Sequence, residues 1–218
     1  MSDAGPSQGA KAPSGGREPH AVGERGGRMT VMLQGLPPLL SRHTRLLVLG
    51  SFPGAASLAA QQYYAHPQNQ FWKILQAIWP SSPYGTGTGS YENRSTWLLA
   101  HGLGVWDVYG ACEREGSLDA SIRNPQVNDF SNLRRRCPQL QAIVHNGGES
   151  YKHARHVAVA MSAAGPPQGA KAPSGGSAAH EVASVGVSFY KLPSTSPANA
   201  SWRFERKLAA WREVFEQH

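Results

Sequence analysis

Residues 45–54 read RLLVLGSFPG. The run Arg45-Leu-Leu-Val-Leu-Gly50 is apolar without alternation and stops at a glycine, the pattern of a strand covered on both faces. Working outward, helices and strands alternate. Asn69 to Trp79 carries Phe71, Ile74, Leu75 and Ile78 at helical spacing, and Pro80 ends it. Thr96 to His101 continues helical, and Gly104 to Val108 reads as a second strand. Asp129 is placed as the N-cap of a helix closing near Cys137, before Pro138. Leu140 to His145 is a third strand, followed by a helix from about Glu149 to Ala164. Val185 to Leu192 alternates and makes a fourth strand. Ser201 is placed as the cap of a last helix with Phe204, Leu208, Trp211 and Phe215 on one stripe. Strands separated by helices imply a mainly parallel sheet covered on both faces.

Around that core the chain is loose in composition. Residues 5–16 read GPSQGAKAPSGG and residues 165–176 read GPPQGAKAPSGG, differing only at Ser7 and Pro167. Such strings bury too little to offset the entropy of ordering them. Residues 1–28 therefore read as a disordered tail and about 162–181 as a low-complexity insertion, leaving residues 29–218 as one domain. Two unevenly spaced copies without apolar content do not make a repeat architecture. Of the 218 residues 40% are hydrophobic and 16% charged, which excludes wholesale disorder. No apolar run is long enough for a bilayer, and the polar N-terminus is not a secretory signal. Cys112 and Cys137 are too few for a disulfide scaffold or a four-cysteine cluster and read as small buried residues. The nine histidines show no zinc-type spacing with them. The net charge of +7 suits a polyanionic partner and equally a plain basic protein.

Ligands of parallel sheets sit beyond the carboxyl ends of the strands. The segments to inspect are therefore Gly50–Asn69, Asp107–Tyr109, His145–Gly148 and Pro193–Ala200. Gly50-Ser-Phe-Pro-Gly54 lets backbone approach a ligand, yet matches neither usual phosphate-binding glycine pattern. Tyr63-Tyr-Ala-His-Pro-Gln-Asn69 sets rings and an amide ahead of an apolar helix. A pocket for an everted base needs such groups, but taken locally a cap at Asn69 and core tyrosines are the favoured explanation. Pro193 to Ala200 is a rigid ridge of hydroxyls and an amide, suited to phosphates or to plain helix entry. Asn146 offers a donor and an acceptor, or simply opens an Asn-Gly turn. Arg134, Arg135 and Arg136 read as a solvated helix face.

Six strings in order resemble one known family: LLVLGSFPGAASL (46–58), QQYYAHPQNQFWKIL (61–75), GVWDVYGACEREGSLDASIRNPQVNDF (104–130), AIVHNG (142–147), KLPSTSPANA (191–200) and KLAAWREVF (207–215). The resemblance is to the uracil-DNA glycosylase superfamily, within it the hypoxanthine-DNA (deoxyinosine) glycosylase branch. It implies an α/β fold, a three-layer α/β/α sandwich with a four-stranded, mainly parallel sheet. It also implies a repair enzyme that binds DNA, flips out a deaminated base and hydrolyses its N-glycosidic bond to leave an abasic site. Hypoxanthine is the implied base. The implied catalytic residues are Asn69 and Ser51. Phe52, Tyr64 and Asn146 would bind the base, and Ser194, Thr195, Ser196 and Asn199 the DNA. Many relatives carry Asn or Asp where Phe52 stands, so water handling passes to Asn69. No metal or cofactor is implied. The partner is DNA, not a membrane, and the expected state is a monomer in the cytoplasm, at a bacterial nucleoid.

Bond breakage leaves positive charge on the sugar and negative charge on the purine. Asn69 would aim a water at the anomeric carbon, and backbone N–H groups around Ser51–Gly54 would meet the purine charge. No lysine in these loops offers an amine nucleophile, and Lys73 reads as solvent-facing, so a monofunctional enzyme that leaves the DNA backbone uncut is expected. The competing readings are a uracil- or mismatch-directed enzyme of the same superfamily, a DNA-binding relative without catalysis, and a small-molecule nucleotide enzyme. The last lacks a phosphate-loop lysine.

Overall fold

A computed structural model describes residues 31–80, 89–163 and 186–218. The chain runs β1 (Met32–Gln34), β2 (Leu46–Gly50), α1 (Ala55–Ala60), α2 (Phe71–Ile78), α3 (Tyr91–Ala100), β3 (Leu103–Asp107), β4 (Tyr109–Glu113) and β5 (Arg123–Val127). It continues with α4 (Leu133–Arg136), β6 (Ala142–Asn146), α5 (Gly148–Tyr151), α6 (Ala154–Ala163), β7 (Ser188–Leu192) and α7 (Phe204–Phe215). Strands β3, β2, β6 and β7 form a four-stranded sheet in that order, and every pairing in it is parallel.

Every residue of β2 is buried. Its side chains alternate between two cores, as the period of a strand requires. Leu46 and Val48 join Phe71, Ile74, Leu75, Trp97, Trp211 and Phe215 under α2, α3 and α7. Leu47 and Leu49 join Phe130, Leu133, Ile143, Val157 and Met161 under α4 and α6. That is the expected three-layer sandwich.

A second sheet, antiparallel and ordered β1-β4-β5, was not anticipated. The chain enters it from β3 with only Val108 between, its amide donating to the Gly50 carbonyl at 2.9 Å. No turn residue marks that passage.

Several boundaries differ from expectation. Asp129 does not cap a helix: its carboxylate accepts from the Ser131 amide at 2.8 Å, and α4 starts only at Leu133. The helix expected from Glu149 is two helices, α5 and α6, separated at Lys152-His153. Ser201 does not cap α7. Its hydroxyl donates to Asn199 Oδ1 at 3.1 Å, and extended Arg203 precedes the first turn. The helix read from Thr96 begins at Tyr91, capped by Ser90, whose Oγ accepts from the Asn93 amide. Both cysteines are free and buried. The tail over residues 1–28 and the insertion over about 162–181 lie outside the described residues, save Ser162 and Ala163, which close α6. Among the described residues no helix is long and apolar enough to cross a membrane.

Candidate active site

Parallel pairing lines up the carboxyl ends of the strands. Asp107 ends β3 beside Gly50 of β2, and Asn146 ends β6 beside Leu192 of β7. Three loops close over this row: Ser51–Gly54, Gln61–Gln70, and Pro193–Ala200.

Asn146 ties the loops together. Its Nδ2 donates to Tyr64 Oη at 3.2 Å and to Thr195 Oγ1 at 3.0 Å, and its Oδ1 accepts from the Thr195 amide at 2.9 Å. Both amino protons are thus spent inside the protein. As folded, the Asn146 carboxamide joins Tyr64 to the last loop, and its Oδ1 keeps one lone pair with which to meet a base. The turn after it needs glycine, since Gly147 has φ 107° and a Cβ there would sit 3.0 Å from Ser194 Cβ.

Tyr64 has φ 55°, a left-handed conformation that costs an aromatic residue energy and that clusters at functional sites. Its ring stacks on Phe71 with centroids 4.0 Å apart, and its phenol pKa is raised far above the ordinary value, by burial first and by Asp107 second. Neighbouring Tyr63 is buried, its hydroxyl donating to the Leu36 and Pro37 carbonyls. Asn69 lies where expected but performs the capping alternative: its Oδ1 accepts from the Phe71 amide at 2.9 Å, fixing the first turn of α2. A carbonyl oxygen has a second lone pair, so the cap orients the amide without exhausting it.

In the last loop, Ser194 Oγ accepts from the Ser196 amide and Ser196 Oγ from the Ala198 amide, both at 3.2 Å. Each hydroxyl keeps its own proton to donate, as a phosphate contact requires. Thr195 and Asn199 do not match the expected DNA-facing role. Thr195 is 0% exposed, and its carbonyl takes the Gln70 amide at 3.0 Å. Asn199 donates to the Ser194 carbonyl at 3.1 Å and accepts from buried Lys207 Nζ at 3.0 Å. These two residues brace the loop from within.

In the first loop, Ser51 Oγ donates to Asp119 Oδ1 at 2.6 Å, so its hydroxyl proton is engaged. Burial raises the Asp119 carboxyl, and the Ser51 hydrogen bond opposes that rise. Phe52 is 6% exposed and belongs to the core beside Leu49 and Trp106, with the Arg114 guanidinium 4.9 Å from its ring centre. Its ring therefore packs behind the loop rather than over it. Arg114 also donates to the Pro53 carbonyl, holding the loop from behind.

Asp107 is the residue that sequence reasoning passed over. It is 4% exposed, and among the described residues its Oδ2 has no hydrogen-bond partner. Burial first, then the charge of Asp119, lifts its carboxyl to about 7, while Arg114 pulls the other way. Its sequence signal is an acid near the carboxyl end of the apolar run Gly104 to Val108.

Buried His145 lies one residue before Asn146. Ser150 Oγ donates to the Leu49 carbonyl at 2.8 Å, so it accepts from His145 Nδ1–H, also at 2.8 Å, and Nε2 carries no proton. Burial lowers this imidazole to about 4. A depressed histidine contributes stability that is complete above about 6.5 and lost as pH falls through about 4, roughly 3 kcal/mol over that span. Melting temperature against pH should therefore fall more steeply below 6.5 for the wild type than for His145→Gln. Parallel curves would contradict this.

The family model of the uracil DNA glycosylase superfamily matches residues 37–215. A hypoxanthine DNA glycosylase of Methanosarcina barkeri is 38% identical over 117 residues, 54% of this chain and 72% of that protein. Another, of Methanosarcina acetivorans, is 37% identical over 120 residues, 52% and 70% of the two chains. A G/U mismatch-specific uracil DNA glycosylase of Schizosaccharomyces pombe is 29% identical over 129 residues, 56% of this chain and 38% of that one. The solution NMR structure of a candidate uracil DNA glycosylase from Methanosarcina acetivorans superposes with a TM-score of 0.66 at 28% identity, covering 86% of this chain and 98% of that one.

Proposed function

The chain belongs to the uracil DNA glycosylase superfamily and is a DNA glycosylase that hydrolyses N-glycosyl bonds, and we propose that the base it removes is hypoxanthine. The two relatives at 37–38% identity are hypoxanthine DNA glycosylases, which supports that choice. Within the site one observation carries the reading: a tyrosine ring in a left-handed backbone, locked by Asn146 at the carboxyl edge of the sheet. A flipped purine stacks on Tyr64, worth about 1–3 kcal/mol. Ser194 and Ser196 donate their free hydroxyl protons to phosphates of the distorted strand. Backbone amides of the Ser51–Gly54 loop meet the negative charge that grows on the leaving base. Asn69 aims water through the lone pair that its cap leaves free.

The enzyme is monofunctional in this reading. Lys73 is exposed on α2, and Lys207 is held beneath the last loop by the Asn199 carbonyl. Borohydride should therefore trap no covalent adduct with DNA; an adduct would overturn the assignment. The net charge of +7 supports action on DNA, and we place that action in a bacterial cytoplasm, at the nucleoid, by a monomer.

Single-turnover excision from inosine and uracil duplexes tests the substrate. Hypoxanthine should leave faster than uracil. The opposite order would favour the second reading, a uracil enzyme like the Schizosaccharomyces pombe relative. Asn69→Ala should lower the rate by about 100-fold with DNA affinity kept. It should also lose about 1 kcal/mol of stability through the missing cap. That stability loss with an unchanged rate would leave Asn69 a cap and nothing more.

A further inference from the structure

We propose that Asp107 is a catalytic residue of this site, its carboxylate accepting the proton of the water that attacks the sugar. The assignment rests on the glycosylase reading above and adds the group that reading lacks. Asn69 is a neutral amide: it can orient water but cannot take a proton from it. Some group must, because the attacking oxygen keeps only one hydrogen in the product.

The geometry singles out Asp107. It closes β3 and pairs in register with Gly50, the residue from which the first loop departs. Its carboxyl lies so close over Gly50 that a Cβ there would collide with Oδ1, and Tyr64 Oη lies 3.8 Å from the same point. Glycine at position 50 thus makes room for the acid, and the acid and the stacking ring flank one spot at the strand end. Among the described residues Oδ2 is buried without a partner, an acceptor left unsatisfied. Native proteins seldom tolerate such an atom without a use for it.

The charges around it set when it is ionised. Tyr63 and Tyr64 face it from the loop after α1, Asp119 from the turn before β5, and Arg114 from the end of β4. Burial and Asp119 favour the neutral acid, and Arg114 favours the carboxylate. The balance near 7 suits a general base, which works best with a pKa close to the working pH.

The step balances. The water oxygen bonds to the anomeric carbon as the carbon–nitrogen bond breaks. The bonding pair leaves with the purine and one water proton passes to Asp107; solvent then protonates the departing base, and Asp107 returns its proton to solvent. The products are an abasic sugar, the free base and a restored carboxylate.

Asp107→Asn keeps the shape and removes the base, so it tests the step directly. Excision would be measured from pH 5 to 9 under single-turnover conditions on inosine and uracil duplexes. The wild-type rate should rise about tenfold per pH unit below 7 and then level off. Asp107→Asn should be slower by about 100–1,000-fold at pH 8, flat across the range, and unchanged in DNA affinity. A variant as fast as the wild type, or one that keeps the pH rise, overturns the proposal. So does a wild-type rate that falls through pH 7, which would make Asp107 an acid. Both substrates are used so that the two readings fail separately. Release of uracil alone by the wild type overturns the hypoxanthine reading while Asp107 is still judged on uracil; release of neither base overturns both. A melting curve controls for folding, since a residue with a purely structural role would alter stability without removing the pH dependence.

Discussion

Asn146→Ala is expected to lose both stability and activity, by about 2–4 kcal/mol and about 100-fold. The stability loss follows from what the carboxamide leaves behind. Thr195 is fully buried, and its amide and hydroxyl both bond to Asn146. Truncation strands them where water does not reach, and each buried unpaired group costs about 1–3 kcal/mol. The activity loss follows from the third hydrogen bond. Tyr64 sits in a strained backbone conformation, and Asn146 is the side chain that holds its hydroxyl. Without that tie the ring relaxes, and a shift of about 1 Å in a positioning group can cost about 100-fold. Asn146→Asp separates the two effects from a general loss of folding. A carboxylate still accepts from the Thr195 amide, and both hydroxyls can turn to donate to it. Most of the stability should return, and with it the placement of Tyr64. Urea denaturation and single-turnover rates check both numbers. An alanine variant as stable and active as the wild type would mean that the last loop is held elsewhere.

This network explains why the sequence points to the site more readily than to the work of its residues. Tyr64, Asn69, Asn146 and Ser194 stand in strand-end segments recognisable from the apolar runs that precede them. The direction of each side chain depends on partners far along the chain. Asn146 meets Thr195 across 49 residues, and Asp107 meets Gly50 only through the register of two parallel strands. A local reading sees an amide and an acid; it does not see that both amino protons of the first are taken up and that Oδ2 of the second is unpaired among the described residues. Phe52 shows the same limit. Beside a glycine-rich turn it looks like a pocket ring, but the core that takes it is built partly from the second sheet, through Tyr109 and Cys112.

The second sheet itself was hidden for physical reasons. All five residues of β5 are exposed, so the sequence RNPQV has no buried face to set an alternation, and Pro125 and left-handed Asn124 argue against a strand. Three of the four parallel strands, β2, β3 and β6, were legible because burial on both faces forces nearly continuous apolar runs, and edge strand β7 through the alternation that leads into it from Val185. The break between α5 and α6 carries neither glycine nor proline and leaves no local mark.

Trp211→Ala should produce the largest loss of stability, about 3–5 kcal/mol. The side chain is fully buried between α7 and α2, its ring centre 6.0 Å from Phe71 and 5.4 Å from Phe215. Removing it opens a cavity in the core on which Tyr64 rests, because Phe71 is also the ring under Tyr64. It also removes the indole N–H that donates to the Pro193 carbonyl at 3.0 Å, where the DNA-facing loop begins. The melting temperature should drop by roughly 10 °C, taking about 2–4 °C for each kcal/mol in a chain of this size. Trp211→Phe distinguishes the two contributions. It retains most of the packing and deletes only the hydrogen bond, so it should cost about 1–2 kcal/mol while loosening the loop that carries Ser194 and Ser196. DNA affinity should then fall in Trp211→Phe by more than its small stability loss would suggest. If affinity instead stays at the wild-type value while stability drops, α7 supports the core alone and the loop is anchored by Lys207 and Asn146.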